Sequence, residues 1–232
     1  MSSNLQSAYV LHVRSYRETS GLIDFITEQE GRMTLLAKGF KTGKKQSKSF
    51  IQPFRKLTIA WSGRGELKTL VTAEEQGAPV ALEDNALISG LYVNELMTRL
   101  LHPHDPHPEI FDIYEQTINA LANTETLEQV LRQYEKNILE SLGYGLLLDR
   151  DIDGNEIEPQ ASYCYLLESG PLKTDRRMHE GVVISGDTLL SLQADQLKTP
   201  QAFKESKQLM RYILSRYIGD KPLKTKELFR YY

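Results

Sequence analysis

The sequence predicts an α+β protein in which a small antiparallel β-barrel is followed by an all-helical domain with a small irregular or β insert. Two observations lead to this prediction. Five short apolar segments rich in β-branched residues, separated by turn residues, lie within residues 8–74, and apolar residues recur at helical spacing after Pro79. Five strands with tight turns in a segment of this length are typical of the OB-fold, and an SH3-like barrel remains an alternative.

The predicted barrel consists of one leading strand and two hairpins. Its strands are residues 9–13, 22–26, 32–37, 57–61 and 66–71. The second and third strands flank Gln29-Glu30-Gly31, and the fourth and fifth flank Ser62-Gly63-Arg64-Gly65. Because glycine adopts the backbone angles that tight hairpin turns require, both connections predict antiparallel pairing.

Apolar stripes at helical spacing predict four helices, at residues 87–101, 110–121, 127–142 and 200–217. Thr126 and Gln129 have the spacing of a capping box, and Thr199-Pro200 is typical of an N-cap followed by the first helical turn. Short strands are predicted near residues 163–167 and 182–185. The predicted domains are residues 1–80 for the OB-fold, 81–148 with 186–232 for the helical domain, and 149–185 for the insert.

The charge is unevenly distributed, although the formal net charge is only −3. Residues 1–80 contain 12 Lys and Arg against 7 Asp and Glu, residues 81–197 contain 7 against 21, and residues 198–232 contain 9 against 3. A cationic surface attracts a polyanion because binding releases the counterions condensed on it. The sequence therefore predicts nucleic-acid binding, with a non-enzymatic scaffold that docks an acidic protein on its basic head as the alternative.

The candidate DNA-binding residues are the cations of residues 38–68 and a second cationic group near the C-terminal end. Phe40 lies within the first group and offers a ring on which an unpaired base can stack. Tyr9, Phe25, Phe54 and Trp61 are also interleaved with the cations, and a small barrel needs large side chains such as Phe25 and Trp61 inside. The predicted DNA-binding residues are Lys38, Phe40, Lys41, Lys44, Lys45, Lys48, Arg55, Lys56, Arg64, Lys68, Lys224, Lys226 and Arg230.

No pattern in the sequence indicates catalysis or a cofactor, and we predict that the protein is not an enzyme. Gly-x-Ser-x-Gly and His-Glu-x-x-His are absent, and the glycine–lysine run at residues 39–45 departs from the spacing of a phosphate-binding loop. Asp149, Asp151 and Asp153 match the first half of an EF-hand. Because Gln160 stands where the closing glutamate belongs, an acidic surface turn is favoured over a cation site, which stays open as an alternative.

The remaining candidate metal ligands also favour structural interpretations. His102, His104 and His107 are interspersed with prolines, which is typical of an exposed connection between helices. Cys164 lies between two tyrosines in a predicted strand, so we expect a buried small hydrophobe. A single cysteine, the lack of an apolar run long enough for a membrane span and the lack of a secretory signal favour a cytoplasmic protein.

Short motifs follow one another along nearly the whole chain. They include Gln52-Pro53-Phe54, Gly63-Arg64-Gly65-Glu66-Leu67, Asn94-Glu95-Leu96, Leu142-Gly143-Tyr144-Gly145 and Lys221-Pro222-Leu223-Lys224-Thr225. In this order and spacing they resemble the RecO family of bacterial recombination mediators. The resemblance implies an N-terminal OB-fold, a helical domain and a non-enzymatic role in homologous recombination and DNA gap repair.

The resemblance also implies partners. Members of the family bind and anneal single- and double-stranded DNA, and act with RecR to load RecA onto strands covered by single-strand-binding protein (SSB). They dock the acidic, phenylalanine-ended tail of SSB on the helical domain, a role that the resemblance assigns here to Arg132, with Lys136 beside it. Many members carry a four-cysteine zinc module in the region equivalent to residues 150–180. This chain has only Cys164 there and departs from that pattern, so no metal is expected.

Overall fold

The computed structural model describes residues 5–40, 50–174 and 181–228. Eight strands and six helices lie within these ranges. The strands are β1 (Gln6–Tyr16), β2 (Ser20–Thr27), β3 (Gly31–Ala37), β4 (Lys56–Ser62), β5 (Lys68–Glu75), β6 (Ser162–Leu166), β7 (Gly170–Lys173) and β8 (Val182–Ser185). The helices are α1 (Asp84–Leu100), α2 (Pro108–Ala122), α3 (Leu127–Ser141), α4 (Gly186–Gln193), α5 (Pro200–Tyr217) and α6 (Thr225–Leu228).

The first five strands form a closed barrel in the order β1-β2-β3-β5-β4, which confirms the predicted OB-like barrel. Antiparallel pairs join β1 to β2, β2 to β3 and β4 to β5, and β4 returns to β1, where Tyr9 pairs with Lys56. The last pair, between β3 and β5, is parallel and joins Leu35 to Lys68. That parallel pair closes the sheet and leaves no free edge.

The barrel interior follows from the alternation of side chains along each strand. On β3, Met33 and Leu35 are fully buried, whereas Arg32 and Thr34 point to the outer face. Phe25 and Trp61 lie in the same core cluster, which confirms that the barrel uses these two aromatic side chains as filling. Burial of large apolar side chains is the main favourable contribution to the stability of a barrel this small.

Helices α1 and α2 pack with the barrel in one compact unit, through a buried amide. The Asn94 side chain of α1 donates a hydrogen bond to the Leu11 carbonyl of β1 at 2.9 Å and accepts one from the Tyr114 hydroxyl of α2 at 2.8 Å. Asn94 is 4% exposed and Tyr114 is fully buried. One side chain therefore satisfies polar groups of a strand and a helix that neither element could satisfy alone.

A charged network lies on the outer face of the same barrel, across β1, β2 and β3. Asp24 is 5% exposed, accepts hydrogen bonds from Thr34 at 2.5 Å and from Arg14, and lies 3.8 Å from the His12 ring nitrogen. Burial opposes ionisation of Asp24, but the hydrogen bonds of His12 and Thr34 and the charge of Arg14 outweigh it and lower the pKa of the carboxyl.

The second compact unit contains α3, the three-stranded sheet β7-β6-β8, α4 and α5. The central strand β6 pairs antiparallel with both neighbours and buries Tyr163 and Cys164. A Cβ atom at Gly181 would lie 2.6 Å from the Cys164 sulfur, so this position requires glycine. The lone cysteine is thus a packed apolar side chain, as expected.

The predicted capping box at α3 is wrong, although the helix begins where expected. The Thr126 side chain makes no cap hydrogen bond. The Gln129 amide instead donates to the Asp195 carbonyl and accepts a hydrogen bond from the Leu197 amide at 3.0 Å. Gln129 is diverted because the turn after α4 leaves two backbone groups that need partners.

Three further elements were not predicted: β7, α4 and α6. Helix α4 begins at a cap that the sequence does contain, since the Ser185 side chain accepts a hydrogen bond from the Thr188 amide. The Thr199 cap of α5 is confirmed by the corresponding hydrogen bond from Ala202. Both β7 and α6 are four residues long, β7 begins with Gly170-Pro171, and neither contains a run of apolar residues like that of β8.

The two compact units are residues Met1–Asn123 with Pro222–Tyr232, and Thr124–Lys221. These units group the residues differently from the predicted domains. The independent folding of the predicted domains stays a prediction. The C-terminal segment that carries Lys224 and Lys226 belongs to the barrel-containing unit. Among the helices of the described ranges, none has the length and apolar character that crossing a membrane requires.

Replacement of Asn94 by alanine should leave the Leu11 carbonyl and the Tyr114 hydroxyl buried without partners. We expect the free energy of unfolding to fall by about 2–4 kcal/mol, measured by urea denaturation. Asn119→Ala is the matched control, since its exposed amide bonds only to a carbonyl of its own helix, and should change stability by less than about 0.5 kcal/mol. Equal effects of the two changes would contradict the bridging role of Asn94.

The Asp24 carboxylate should make the free energy of unfolding depend on pH in the acidic range. Its pKa in the folded protein is lowered, so its stabilising contribution is complete above the unfolded value of about 3.9 and is lost as the pH falls through the folded value. We expect the stability difference between the parent protein and Asp24→Asn to shrink below about pH 4. A difference that stays constant between neutral and strongly acidic pH would refute this assignment.

Candidate nucleic-acid interface

Three of the predicted DNA-binding cations lie on neighbouring parts of the barrel. Lys38 directly follows β3, Arg64 lies in the β4–β5 turn, and Lys68 begins β5. The β3–β5 pair places Leu35 opposite Lys68, so the end of one strand and the start of the other are adjacent. Lys38 and Arg64 are exposed and Lys68 is half-buried. We call these three residues the barrel edge.

The barrel edge is held by local structure. Gly63 has a φ of +127°, which only glycine adopts readily, so the β4–β5 turn can present Arg64. The Lys68 ammonium lies 5.9 Å from the centre of the Trp61 ring, within the range of a cation–π contact. The positions of Arg64 and Lys68 are therefore supported by the strands of the barrel and the turn between them.

Two other predicted cations are engaged in ion pairs. Arg55 pairs with Glu75. Lys56 pairs with Glu115 of α2 at 2.6 Å, and Glu115 also accepts a hydrogen bond from the Tyr9 hydroxyl at 2.7 Å. Burial disfavours ionisation of Glu115, but the Lys56 and Tyr9 hydrogen bonds lower the pKa of its carboxyl, so this carboxylate stays charged. Phosphate binding at Arg55 or Lys56 would have to compete with these carboxylates.

The remaining members of the predicted set occupy different places. Lys41, Lys44, Lys45, Lys48 and Arg230 lie outside the described residues. Lys224 and Lys226 are exposed and lie in the same compact unit as the barrel.

The aromatic side chains of the barrel are mostly committed to packing. Phe40 is half-buried, packs against the barrel core and covers Gly21, where an added Cβ would lie 2.8 Å from its ring. Tyr9 is 3% exposed and packs on the rings of Phe111 and Tyr114. Of the five aromatic residues considered, Phe40 thus keeps the most exposed surface for a base.

Sequence reasoning missed two arginines on the barrel, Arg14 and Arg17. Arg17 is exposed in the β1–β2 turn with a φ of 52° and lies 5.2 Å from the Tyr16 ring centre. The Arg14 side chain is 51% exposed while it pairs with Asp24 at 3.2 Å. OB-folds bind single strands with their β1–β2 and β4–β5 loops. That topology was the available signal, because these arginines lie outside the basic run of residues 38–68.

Arg132 and Lys136, the residues expected to bind the SSB tail, both make contacts inside the second compact unit. Arg132 is 6% exposed and pairs with the buried Glu135, one helical turn away. Its Nε–H has no hydrogen-bond partner within the described ranges. Lys136 donates to the carbonyls of Leu192 and Gln193 at the end of α4 and pairs with an aspartate there. Both cations therefore already have roles within the second unit.

An exposed cationic groove lies between the start of α3, one turn before Arg132, and the first turns of α5. It has a volume of about 520 Å³ and is lined by Glu128, Lys198, Pro200, Phe203, Lys204 and Lys207. Lys207 pairs with Glu128 at 2.5 Å, whereas no ion pair within the described residues involves Lys198 or Lys204. We call it the α5 groove. The sequence signal for this groove was the pair Lys204 and Lys207, three residues apart on a predicted helix. Such a pair is weak evidence for a binding site by itself.

The candidate cation sites do not assemble. Among the described residues, no three His, Cys, Asp or Glu side chains lie close enough to hold a metal ion. Asp151 instead accepts hydrogen bonds from the backbone amides of Asp153 and Asn155 at 3.0 and 2.8 Å, which stabilises the acidic turn. The imidazole of His107 lies beside Asp105 and Glu109 at the start of α2.

Comparisons with known proteins agree with this architecture. The family profile described as "Recombination protein O N terminal" matches residues 1–76, and that described as "Recombination protein O C terminal" matches residues 84–227. The first of these matches covers the barrel.

Similar proteins cover nearly the full length. A protein named DNA repair protein RecO from Pseudomonas aeruginosa is 45% identical over 97% of this chain and 94% of its own. Proteins of the same name from Methylococcus capsulatus and Nitrosospira multiformis are 42% and 38% identical over 97% of this chain, and over 93% and 94% of their own. By both kinds of comparison, the chain belongs to the RecO family of DNA repair proteins.

Proposed function

We propose that this protein binds DNA through the barrel edge and the C-terminal lysines and performs no covalent chemistry. The observation that carries the proposal is the barrel edge itself: exposed Lys38 and Arg64 and half-buried Lys68, at the end of β3, in the β4–β5 turn and at the start of β5 of a closed OB-like barrel. In such barrels cations follow the phosphates while aromatic faces meet bases. Lys41, Lys44, Lys45 and Lys48 extend the same run in the sequence.

Strand annealing follows from this arrangement. Lys224 and Lys226 add a second cationic segment to the barrel-containing unit. Two complementary strands repel one another through their phosphates, and a protein that neutralises both lowers that barrier. In this proposal the protein contributes no specificity, because base pairing selects the partner strand. The membership of the chain in a DNA repair family supports the proposal.

We further propose that the α5 groove receives the acidic, phenylalanine-ended tail of SSB. The lining of the groove combines two apolar side chains, Phe203 and Pro200, with the ammonium groups of Lys198 and Lys204. An acidic peptide that ends in an aromatic residue matches both features. Its carboxylates can form charge-assisted hydrogen bonds with the two ammonium groups, and its terminal ring can pack on the two apolar side chains. Arg132, one turn along α3 from Glu128, would act behind this groove rather than at its surface.

The cellular role then follows by family resemblance. Recruitment by the SSB tail would bring the barrel edge to covered single strands, where the protein, with RecR, helps load RecA during recombination and gap repair. That role places the protein in the cytoplasm on the nucleoid.

One observation favours a second candidate, a scaffold that docks an acidic protein. Leu67, next to Lys68 in the sequence, and Val71, three residues after Lys68 on β5, are 44% and 60% exposed. Apolar side chains next to cations suit a protein surface as well as a nucleic acid. The DNA experiment below separates the two candidates.

Removal of the barrel-edge cations should weaken DNA binding and its dependence on salt. We expect the combined change Lys38→Gln, Arg64→Gln and Lys68→Gln to lower the slope of log affinity against log salt by about 2 for a single-stranded oligonucleotide, since each lost phosphate contact removes about 0.7. Fluorescence anisotropy over a range of salt concentrations measures the slope.

The matched control is a comparison of two arginines on the same barrel. Arg64→Gln should reduce the affinity, whereas Arg55→Gln, whose cation already pairs with Glu75, should change it little. Equal losses for the two variants would show that only net charge matters. Unchanged affinity in the triple variant would remove the barrel edge from the site and favour the protein-docking alternative.

Changes in the α5 groove should separate tail binding from DNA binding. Phe203→Ala and Lys204→Ala should each weaken binding of an acidic peptide ending in phenylalanine, measured by calorimetry, while oligonucleotide affinity stays unchanged. Lys173→Ala is the control, because this half-exposed lysine of the same unit pairs with Glu158 outside the groove. Peptide binding that survives both groove changes would rule the groove out.

Arg132→Ala tests the family assignment and needs a stability measurement beside it. Its guanidinium is the cation paired with the buried Glu135 carboxylate, so we expect the variant to unfold at lower denaturant concentration as well as to bind the tail peptide less tightly. Full stability with unchanged peptide binding would contradict both roles.

A further inference from the structure

The C-terminal basic segment is attached to α1 by a carboxylate. Glu95 accepts hydrogen bonds from the Lys224 amide at 2.8 Å, the Thr225 amide at 2.9 Å and the Thr225 hydroxyl at 2.8 Å. Both carboxylate oxygens are therefore used, and the hydrogen bonds go to three groups within two consecutive residues. Charge-assisted hydrogen bonds of this kind are about twice as strong as those between neutral groups.

A second residue of α1 holds the same segment. Arg99 donates to the Pro222 carbonyl at 3.2 Å and lies 3.6 Å from Glu95, one helical turn earlier. Carboxylate and guanidinium thus bind the amides and a carbonyl of the segment, respectively. The side chains of Glu95 and Arg99 are only 13% and 23% exposed, so solvent competes weakly for these contacts.

The contacts involve the backbone of the segment and the Thr225 hydroxyl, and they leave the lysine side chains exposed. Thr225 is buried at 7% exposure, whereas Lys224 and Lys226 on either side of it are exposed. Burial disfavours ionisation of Glu95, but its hydrogen bonds with Thr225 and Lys224 lower the pKa of the carboxyl, so the group that holds the segment stays charged. No ion pair within the described residues involves either lysine.

We propose that Glu95 and Arg99 form a clamp that fixes the C-terminal segment on α1, so that Lys224 and Lys226 contact DNA as part of one surface with the barrel. Glu95 is a positioning residue in this inference, which rests on the proposed DNA binding. A segment ordered in advance pays no entropy of ordering when it meets a phosphate, and its two charges act at a fixed place.

The test is a double-mutant cycle between the clamp and the lysines. In the parent protein, Lys224→Gln with Lys226→Gln should lower the slope of log affinity against log salt by roughly 1.4 for a single strand, about 0.7 per lysine. With Glu95→Gln present, the same pair of changes should lower the slope by less than half as much. Asp112→Asn, an exposed carboxylate on α2, controls for the loss of one negative charge.

Trypsin cleavage gives an independent readout of the clamp. In Glu95→Gln, cleavage after Lys224 and Lys226, followed by mass spectrometry, should be at least several-fold faster than in the parent protein, and Asp112→Asn should show no change. Thr225→Val, which removes one of the three hydrogen bonds, should act in the same direction more weakly. It serves as the second variant if Glu95→Gln does not fold.

The outcomes separate the inference from the proposed function. DNA binding by the parent protein, with additive effects of the clamp and lysine changes, would overturn the clamp inference and leave the proposed function standing. Unchanged trypsin cleavage in both clamp variants would also overturn it. Failure of the parent protein to bind oligonucleotides at low salt would overturn both. Coupled slopes with faster cleavage would establish the clamp.

Discussion

Closure of the barrel through the parallel β3–β5 pair is the constraint from which the candidate interface follows. If the sheet contained only its antiparallel pairs, β3 and β5 would be its two edge strands and would lie at opposite edges. Pairing of Leu35 with Lys68 joins them instead, which brings Lys38 and the β4–β5 turn onto neighbouring parts of the surface. The same closure buries alternate side chains of β1 to β4 in one core, against which the partly buried Leu70 and Ala73 of β5 pack.

Ion pairing then decides which cations of the basic run are available to a partner. Arg55 and Lys56 form ion pairs with Glu75 and Glu115, respectively, so their charges already have partners within the protein. Arg132 and Lys136 likewise serve the second unit, the latter by binding the carbonyls that end α4. Count and sign of charge along a sequence thus overstate a binding surface, because a lysine held by a carboxylate must first give up that partner.

The barrel, the principal helices and the Thr199 cap could be predicted because they depend on local patterns. Alternation along β3 and the glycines of the turns are readable in a single sequence. The misplaced capping box shows the limit: Gln129 has the right spacing, but its amide is taken by backbone groups 66 and 68 residues away. The clamp on α1 was invisible for the same reason, since Glu95 and Thr225 are 130 residues apart. Pairing across such separations leaves no periodic trace.

The site was predictable to a similar extent. The sequence located the cationic run and the family, but the half-buried ring of Phe40 and the buried guanidinium of Arg132 follow from packing that only three-dimensional structure shows. The α5 groove needed two elements, because Glu128 belongs to α3 and its other lining residues lie at or near α5.

The buried position of Cys164 has a practical consequence. Its sulfur is fully covered in the central strand β6, with the backbone at Gly181 too close to admit a side chain. It is also the single cysteine of the sequence. A thiol introduced at an exposed position would therefore be the one readily accessible to a maleimide dye, so fluorescence or crosslinking probes can be attached at chosen sites without first engineering a cysteine-free background.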